Sequence, residues 1–539
     1  MTSSVPQKNE KFKIGQRVHL EKDPHRMGTV KYIGSLEGCP GWWLGVDWDN
    51  SEGKNDGSLN GIRYFEASSD MSGSFVRAEN VSCGISVVEG LHSRYKSICH
   101  KEAPGEMHMI LDGKKHKSFE IVGKEKIHDQ QSQLEKLASA SLFYMGVSKF
   151  ESHSDTKSAF PNLRVLDLTG NLLSSWKDMG AICQQFPSLV SLNLSNNLMS
   201  CDVTGITPLK NIRTLVLNNT GVCWIQIEAL NPFLPLLEEL HLMGNNISTI
   251  TSTSMYVQGF DFLRLLNLGN NSITKCTEIM KFSLLKGLER LHLNNNTLNQ
   301  IFYPEDVTLN VLHDGTRYGQ KCCAPFNSLH HIFLGGNKID DTNSIDSLNS
   351  FPKLTDIRLS DNPITDTRRG GLPRFVLIGR LEKVEMLNGS LVSARERKDS
   401  EIRYVRQVLS NISNLGDDIE KTHPRFTQLM DKHGLQDEKL AMESSSPLTM
   451  ASSLISVTIK CVAASIGEKP PVTKKLPATT TVGKLKLLCE KLFNLKSINP
   501  RLFLHEEASP LPSALDDEML TLVDIGVDSA STILVDADF

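Results

Sequence analysis

A nine-residue pattern recurs in the middle of the chain and constrains the fold more than any other feature. Its copies are LRVLDLTGN, LVSLNLSNN, IRTLVLNNT, LEELHLMGN, LRLLNLGNN, LERLHLNNN, LHHIFLGGN and LTDIRLSDN, which begin at Leu163, Leu189, Ile212, Leu237, Leu263, Leu288, Leu329 and Leu354. The starts lie 23 to 26 residues apart, except for one gap of 41 residues. Because residues two apart on a strand share a face, the apolar positions predict a stack of short strands with one buried face.

This spacing is that of leucine-rich repeats, whose units span about 20–29 residues. Degenerate further units begin at Leu137 and Leu381, so the α/β solenoid is predicted over 134–390. The last position is an asparagine in seven of the eight copies, and we expect this side chain to satisfy buried backbone groups where the chain leaves the strand. These asparagines are Asn171, Asn197, Asn245, Asn271, Asn296, Asn337 and Asn362. Chance leucine pairs in a helical protein would not give eight such matches.

The long gap implies an insertion of about sixteen residues, which either contacts a partner or is a plain surface loop. Cys322, Cys323, His330 and His331 near it lack the usual spacing of zinc ligands, so no metal or other cofactor is predicted. The concave face is predicted to bind a protein. Its candidate contact residues are His241, His292, Phe333 and Arg358.

Length and composition limit the remaining possibilities. A chain of 539 residues is too long for one core, which predicts a multidomain protein. A net charge of -4 gives no general attraction to nucleic acid or to a membrane surface, so neither is an expected partner. The polar N-terminus lacks the apolar segment of a signal peptide. Eleven irregularly spaced cysteines indicate reduced thiols in the cytoplasm.

Residues 12–90 read as short strands with glycine-rich turns, which predicts a small β-barrel. The segments GTVKYIG, WLGVDWD, GKNDGS, RYF and GSFVR, in that order, resemble the CAP-Gly domain. The resemblance implies binding of protein C-termini that end in acidic residues followed by tyrosine or phenylalanine, such as that of α-tubulin. The implied peptide-binding residues are Trp43, Gly53, Lys54, Asn55, Asp56, Gly57 and Phe75.

Each of these residues has a chemical reason to be there. Lys54 can pair with a carboxylate, and the amide of Asn55 can donate to and accept from peptide backbone. Gly53 and Gly57 are expected to allow positive φ and close approach of the ligand. The alternative is that the loop merely forms a hairpin held by Asp56, and both interpretations can hold together. Gly38 stands where many CAP-Gly domains carry phenylalanine, which implies a shallower groove.

Beyond the repeats, residues 391–433 are predicted to form a helical cap for the solenoid, the alternative being a basic peptide-binding helix. Residues 454–539 resemble ubiquitin-like domains, which implies an α+β β-grasp fold used for docking or as a plain structural domain. The chain ends in DADF and not in Gly-Gly, which excludes a conjugated modifier. That acidic–aromatic end could occupy the CAP-Gly groove in cis, although a last strand is the favoured interpretation. The predicted order is a CAP-Gly domain at 12–90, a connecting segment at 91–133, leucine-rich repeats at 134–390, a helical cap at 391–433, a linker at 434–453 and a ubiquitin-like domain at 454–539.

The combination of CAP-Gly domain, leucine-rich repeats and ubiquitin-like domain resembles the tubulin-folding cofactor E family along the chain. The resemblance implies a cytoplasmic, cytoskeleton-associated chaperone that binds α-tubulin, assembles the αβ-tubulin heterodimer with β-tubulin and other tubulin-folding cofactors, and is able to dissociate it. A proteasome or ubiquitin receptor is a further implied partner. The alternatives are a microtubule-associated linker and a ubiquitin-pathway adaptor. The sequence carries no P-loop, H-E-x-x-H or G-x-S-x-G motif, so no enzyme is predicted.

Overall fold

In a computed structural model of the chain, the description covers twelve ranges and six further residues. They are 12–95, 134–149, 160–250, 255–303, 324–410, 419–436, 454–462, 470–477, 479–495, 500–505, 512–515 and 531–536, with residues 518, 520, 521, 522, 525 and 527. The chain divides into two compact units between Glu401 and Ile402. Within the described ranges, no helix is long and apolar enough to cross a membrane.

The first unit begins with an antiparallel sheet in the order β6-β3-β2-β1-β7, beside which β4 and β5 form a separate hairpin. Alternate residues of these strands point to opposite faces, and Val18, Val30, Leu44, Val46 and Trp48 form the buried core on one face. The elements are β1 (Arg17–Leu20), β2 (Asp23–Leu36), β3 (Cys39–Trp48), β4 (Ser58–Leu59), β5 (Ile62–Arg63), β6 (Gly73–Val76), β7 (Val81–Ser82), β8 (Ile85–Ser86) and helix α1 (Val87–Tyr95).

A short parallel pair and one helix join this sheet to the start of the repeats. β8 pairs with β10 (Val147–Lys149), and Val87, Leu91 and Tyr95 of α1 are part of the same apolar core as the repeat leucines. The Tyr95 hydroxyl also accepts a 2.9 Å hydrogen bond from the backbone N–H of Ser141. Helix α1 therefore covers the N-terminal end of the solenoid core. It spans the predicted boundary between the CAP-Gly domain and the connecting segment, at residues 90 and 91, which stays a prediction.

The solenoid is an eleven-stranded sheet running from β9 to β20, without β10. Neighbouring strands are parallel, except for a final antiparallel pair. Its strands are β9 (Ser139–Ser141), β11 (Val165–Asp167), β12 (Ser191–Asn193), β13 (Thr214–Val216), β14 (Glu239–His241), β15 (Leu265–Asn267), β16 (Arg290–His292), β17 (His331–Phe333), β18 (Asp356–Arg358), β19 (Met386–Leu387) and β20 (Ser390–Leu391). The intervening helices are α2 (Trp176–Gln185), α3 (Trp224–Leu230), α4 (Cys276–Met280), α5 (Thr342–Ser347) and α6 (Arg374–Arg380).

The strand register confirms the repeat alignment. The central leucine or isoleucine of each strand pairs with its counterpart in the next, as in Leu166 with Leu192 and Ile332 with Ile357. The degenerate units predicted from Leu137 and Leu381 supply β9 and β19, which pair with β11 and β18. The inserted segment falls largely on residues 304–323, including Cys322 and Cys323, which lie outside the described residues.

The asparagine column is confirmed as a buried hydrogen-bond ladder. The amide nitrogen of Asn197 donates to the carbonyl oxygens of Leu168 and Leu194, and its Oδ1 accepts from the N–H of Leu173. Thr220 takes this position in the one repeat that lacks the asparagine, and its hydroxyl donates to the Leu217 carbonyl oxygen. These side chains close the turn after each strand, as buried backbone groups require.

A helix follows the last repeat. α7 (Ala394–Ser410) begins beside β20, and the Arg397 guanidinium donates to the carbonyl oxygens of Leu381 and Val384. Arg374 of α6 pairs with Glu396 at 2.7 Å. These contacts support the predicted cap.

The described part of the second unit contains the last part of α7, three further helices and a separate sheet in the order β22-β21-β25-β23-β24. β21 and β25 are parallel and the other pairs are antiparallel. The elements are α8 (Ile419–Thr422), α9 (Phe426–His433), β21 (Leu454–Cys461), β22 (Val472–Pro477), α10 (Val482–Phe493), β23 (Arg501–His505), β24 (Ser513–Ala514) and β25 (Thr532–Asp536). Most of the predicted linker and residues 537–539 lie outside the described residues.

Candidate peptide-binding groove

The outer face of the N-terminal sheet carries a row of aromatic residues around one glycine. Tyr32 on β2 pairs with Gly45 on β3, and Gly45 pairs with Phe75 on β6. A Cβ atom on Gly45 would lie 2.5 Å from the ring of Phe65. The glycine therefore lets the neighbouring rings close over the middle strand.

Four rings form an edge-to-face cluster at this point. The centroid of Phe75 lies 5.5 Å from those of both Tyr64 and Phe65, and Tyr32 lies 5.3 Å from Tyr64. Phe65 is buried, whereas the other three rings are only half-buried. The Tyr64 hydroxyl accepts a 2.9 Å hydrogen bond from the N–H of Glu37. The cluster is thus a fixed apolar surface with one side open to solvent.

The GKNDG loop, residues 53–57, is fastened to the edge of β6 by its backbone. The N–H groups of Lys54 and Asn55 donate to the Gly73 carbonyl oxygen at 2.7 and 3.0 Å, and the Gly73 N–H donates back to Asn55 at 2.7 Å. Gly73 lies two residues before Phe75 and on the same face of the sheet. The loop therefore borders the aromatic cluster.

The two loop glycines are required for different reasons. Gly57 has φ +93°, and a Cβ atom there would overlap the Phe65 carbonyl. Positive φ at Gly57 is therefore confirmed. The same expectation for Gly53 is wrong, since Gly53 is not among the positive-φ glycines; a Cβ atom there would overlap the backbone of Ser72 instead.

Asp56 turns back into its own loop. Its carboxylate accepts from the N–H of Ser58 at 3.1 Å and from the Ser58 hydroxyl, and it pairs with Arg63 at 2.6 Å. These hydrogen bonds, first from Ser58 and then from Arg63, lower the pKa of Asp56 to about 2. The Asn55 amide oxygen likewise accepts from the Gly57 N–H at 3.0 Å. Both side chains thus hold the turn, as the hairpin alternative expects.

Two cations border the groove without a carboxylate partner among the described residues. Lys54 is exposed at the tip of the loop. Arg77 lies directly across β3 and β6 from Trp43, because Leu44 pairs with Val76, and its guanidinium stacks 3.8 Å from the centre of the Trp43 ring. Arg77 also donates to the carbonyl oxygens of Pro40 and Trp42. The guanidinium is therefore held in place by neutral groups, which leave its positive charge able to pair with a ligand carboxylate.

Sequence reasoning did not single out Arg77, Tyr32 or Tyr64 as groove residues. Their part in the groove depends on strand register, which no local motif reveals. Gly38, predicted to make the groove shallower, lies in the β2–β3 turn with φ +74°, and no atom would lie within 4 Å of a Cβ there. That position is therefore open space.

The four predicted concave-face residues lie on four different strands. His292 stacks on Phe333 with centroids 4.4 Å apart, and the Arg358 guanidinium lies 4.1 Å from the Phe333 ring centre. His241 lies in the same row, two strands from His292, and 4.0 Å from Glu239. Burial, followed by the charges of His241 and Arg358, lowers the pKa of His292 to about 4. Within the described ranges, no group of His, Cys, Asp and Glu side chains is placed to hold a metal ion.

Comparisons with known proteins show similarity over part or nearly all of the chain. Residues 14–81 match the family model of the CAP-Gly domain. Tubulin-folding cofactor E of Arabidopsis thaliana is 53% identical over 532 residues, which are 98% of this chain and 99% of that protein. Tubulin-specific chaperone E of Xenopus laevis is 30% identical, over 87% of this chain and 88% of its own length. The solved C-terminal ubiquitin-like domain of mouse tubulin-specific chaperone E is 24% identical, covering 18% of this chain and 96% of that one, with a TM-score of 0.15.

Proposed function

The chain belongs to the tubulin-folding cofactor E family, and on that premise we propose that it is a chaperone, not an enzyme, that binds α-tubulin. It assembles the αβ-tubulin heterodimer with β-tubulin and other tubulin-folding cofactors, and it dissociates that heterodimer. The name shared by the relatives, tubulin-specific chaperone, supports tubulin as the client. A cytoplasmic, cytoskeleton-associated location follows from such a client.

The groove carries the proposal. An acidic tail that ends in an aromatic residue needs cations for its carboxylates and an apolar surface for its ring. Lys54 and Arg77, which pair with no carboxylate in the described ranges, supply cations on either side of the cluster formed by Tyr32, Tyr64 and Phe75. Charged hydrogen bonds of this kind are stronger than neutral ones. Asn55 and Asp56 contribute by fixing the loop that presents Lys54.

The concave face is proposed as a second contact with the same client. A tail bound in the groove raises the effective concentration of the rest of the client at the repeats. Two sites of modest affinity can then hold the client firmly. His241, His292, Phe333 and Arg358 lie on this face.

The C-terminal sheet supports the finer assignment of a ubiquitin-like β-grasp domain. Its parallel pair, β21 with β25, lies inside a mixed sheet, and α10 follows β21 and β22 along the chain. Docking to a proteasome or ubiquitin receptor is the role proposed for it. If removing 454–539 stops client turnover and leaves heterodimer assembly intact, the docking role is supported; loss of assembly itself would count against it.

The proposal is tested by Lys54→Ala, with Lys22→Ala as control. Both lysines are exposed on the same N-terminal sheet, but Lys22 lies in the turn between β1 and β2. We expect Lys54→Ala to weaken binding of intact α-tubulin by about ten-fold, corresponding to a lost charged contact of roughly 1.5 kcal/mol. Binding of α-tubulin without its tail should not change. Equal affinities of both variants for intact α-tubulin would remove the groove from the mechanism.

A further inference from the structure

The concave face is asymmetric in charge, and its C-terminal half carries two arginines that form no ion pair with the described part of the chain. Arg290, His331 and Asp356 form one row across β16, β17 and β18. The parallel row two residues on is His292, Phe333 and Arg358. Strands β12 and β13 present only Ser191, Asn193, Thr214 and Val216 at the same positions.

The carboxylates of this region are already engaged by histidines. Asp356 lies 3.1 Å from His331, and Glu239 lies 4.0 Å from His241. Arg290 and Arg358 are exposed, and neither forms an ion pair with any described residue. At neutral pH the fixed positive charge of these rows therefore comes from the two arginines, because burial and then the neighbouring positive charges lower the pKa of His292 to about 4. Asp356 is the one carboxylate in the two rows.

The aromatic stack fixes one of the two charges. Phe333 has the His292 ring from β16 on one side and the Arg358 guanidinium from β18 on the other. Side chains from the two neighbouring strands thus cover both faces of the Phe333 ring. The ring therefore positions Arg358, and neither face is free to stack on a ligand. A guanidinium held over a ring loses little further conformational entropy when it binds a carboxylate.

We propose that Arg290 and Arg358 bind an acidic segment on the folded body of α-tubulin, separate from its tail. This inference rests on the proposed function and names the chemistry of its second contact. The arginines are two strands apart and offset by two residues along the strand, about 12 Å, which is too far for one carboxylate and suits two carboxylates on a short segment. A nucleic acid would need a longer run of cations, and the neutral strands β12 and β13 do not supply one.

The test is the double variant R290E/R358E, assayed on tail-truncated α-tubulin so that the groove does not contribute. K210E/R264E is the matched control, because Lys210 and Arg264 are exposed solenoid residues off these two rows and the charge change is the same. We expect R290E/R358E to weaken binding by at least about ten-fold and the control to change it less than two-fold. The neutral variant R290Q/R358Q should give a smaller loss and a weaker dependence on salt. Affinity for an isolated tail peptide should be the same in all four proteins.

Equal affinity of R290E/R358E and the control for tail-truncated α-tubulin would overturn the inference. So would a loss confined to the tail peptide, or wild-type binding of a single-stranded oligonucleotide that R290E/R358E abolishes. If the wild type binds intact but not tail-truncated α-tubulin, the concave contact is wrong and the groove stands. If it binds neither form nor the peptide, the proposed function itself fails.

Discussion

The backbones of Gly84 and Gly146 cross so closely that a Cβ atom on Gly84 would overlap the carbonyl oxygen of Gly146. That oxygen accepts a 2.9 Å hydrogen bond from the N–H of Ile85, which begins the β8–β10 pair. On its other side, a Cβ on Gly146 would lie 2.6 Å from Nε2 of the buried His19. The N-terminal sheet thus meets the solenoid through two glycines. Any other residue at either position would force the neighbouring backbone or the His19 ring to move.

Replacing Gly146 should therefore loosen this junction. Gly146→Ala adds a clash with His19 to the cost of a side chain at φ +69°, whereas Gly38→Ala carries a similar φ of +74° with open space around it. We expect Gly146→Ala to destabilise the protein by roughly 1–3 kcal/mol more than Gly38→Ala. Melting temperatures of the two full-length variants measure the difference. Indistinguishable melting would mean that the contact relaxes freely.

The asparagine ladder predicts a position-specific loss. Asn197→Ala leaves two carbonyl oxygens and one N–H without their partner in a site with no exposed surface. Unfolding in urea should show a loss of about 2–4 kcal/mol. Asn197→Thr should recover part of it, because Thr220 already serves in the neighbouring repeat. If Asn197→Thr were no more stable than Asn197→Ala, the hydroxyl would not explain why Thr220 can take the place of an asparagine in the ladder.

Arg77 predicts a change in tail binding that no motif would suggest. Arg77→Gln keeps a donor for the Pro40 and Trp42 carbonyl oxygens but removes the charge over Trp43. Affinity for an acidic tail peptide should fall by about ten-fold and depend less on salt. Titration of peptide into the full-length variant at two ionic strengths measures both effects. Lys22→Gln, which changes the same charge elsewhere on the sheet, should bind like the wild type.

The loop should resist mild acid. The Ser58 and Arg63 contacts lower the pKa of Asp56 to about 2 in the folded chain, from 3.8 for an unperturbed aspartate. Because the pKa is lower in the folded chain than in the unfolded chain, the ionised carboxylate stabilises the turn at pH values above the unfolded pKa of 3.8. This stabilisation is lost as the pH falls toward about 2. At pH 3 the Ser58 N–H resonance should still report an ionised carboxylate, and Asp56→Asn should abolish its titration. A midpoint near 3.8 would show that the Ser58 and Arg63 contacts do not form in solution.

The sequence predicted features that depend on residues close together in the chain or on a repeated unit, and it missed contacts between residues far apart in the chain. The strands and the asparagine ladder were predictable because one short unit repeats and each copy supports the others. Gly57 was predictable because its role is local to the turn. The stack of Arg77 on Trp43 and the entry of α1 into the solenoid core depend on pairing between distant residues. Gly53 was misread because backbone packing from another strand, not positive φ, excludes a side chain there.

The continuity of α1 with the solenoid core has a consequence for which clients fit. The groove and the concave face belong to the same compact unit, so the distance between them is set by packing and not by a flexible linker. Extended chain spans at most about 3.3–3.6 Å per residue. Under the proposed two-site mode of binding, only a client with enough disordered chain between its last folded residue and its final aromatic side chain reaches both sites at once.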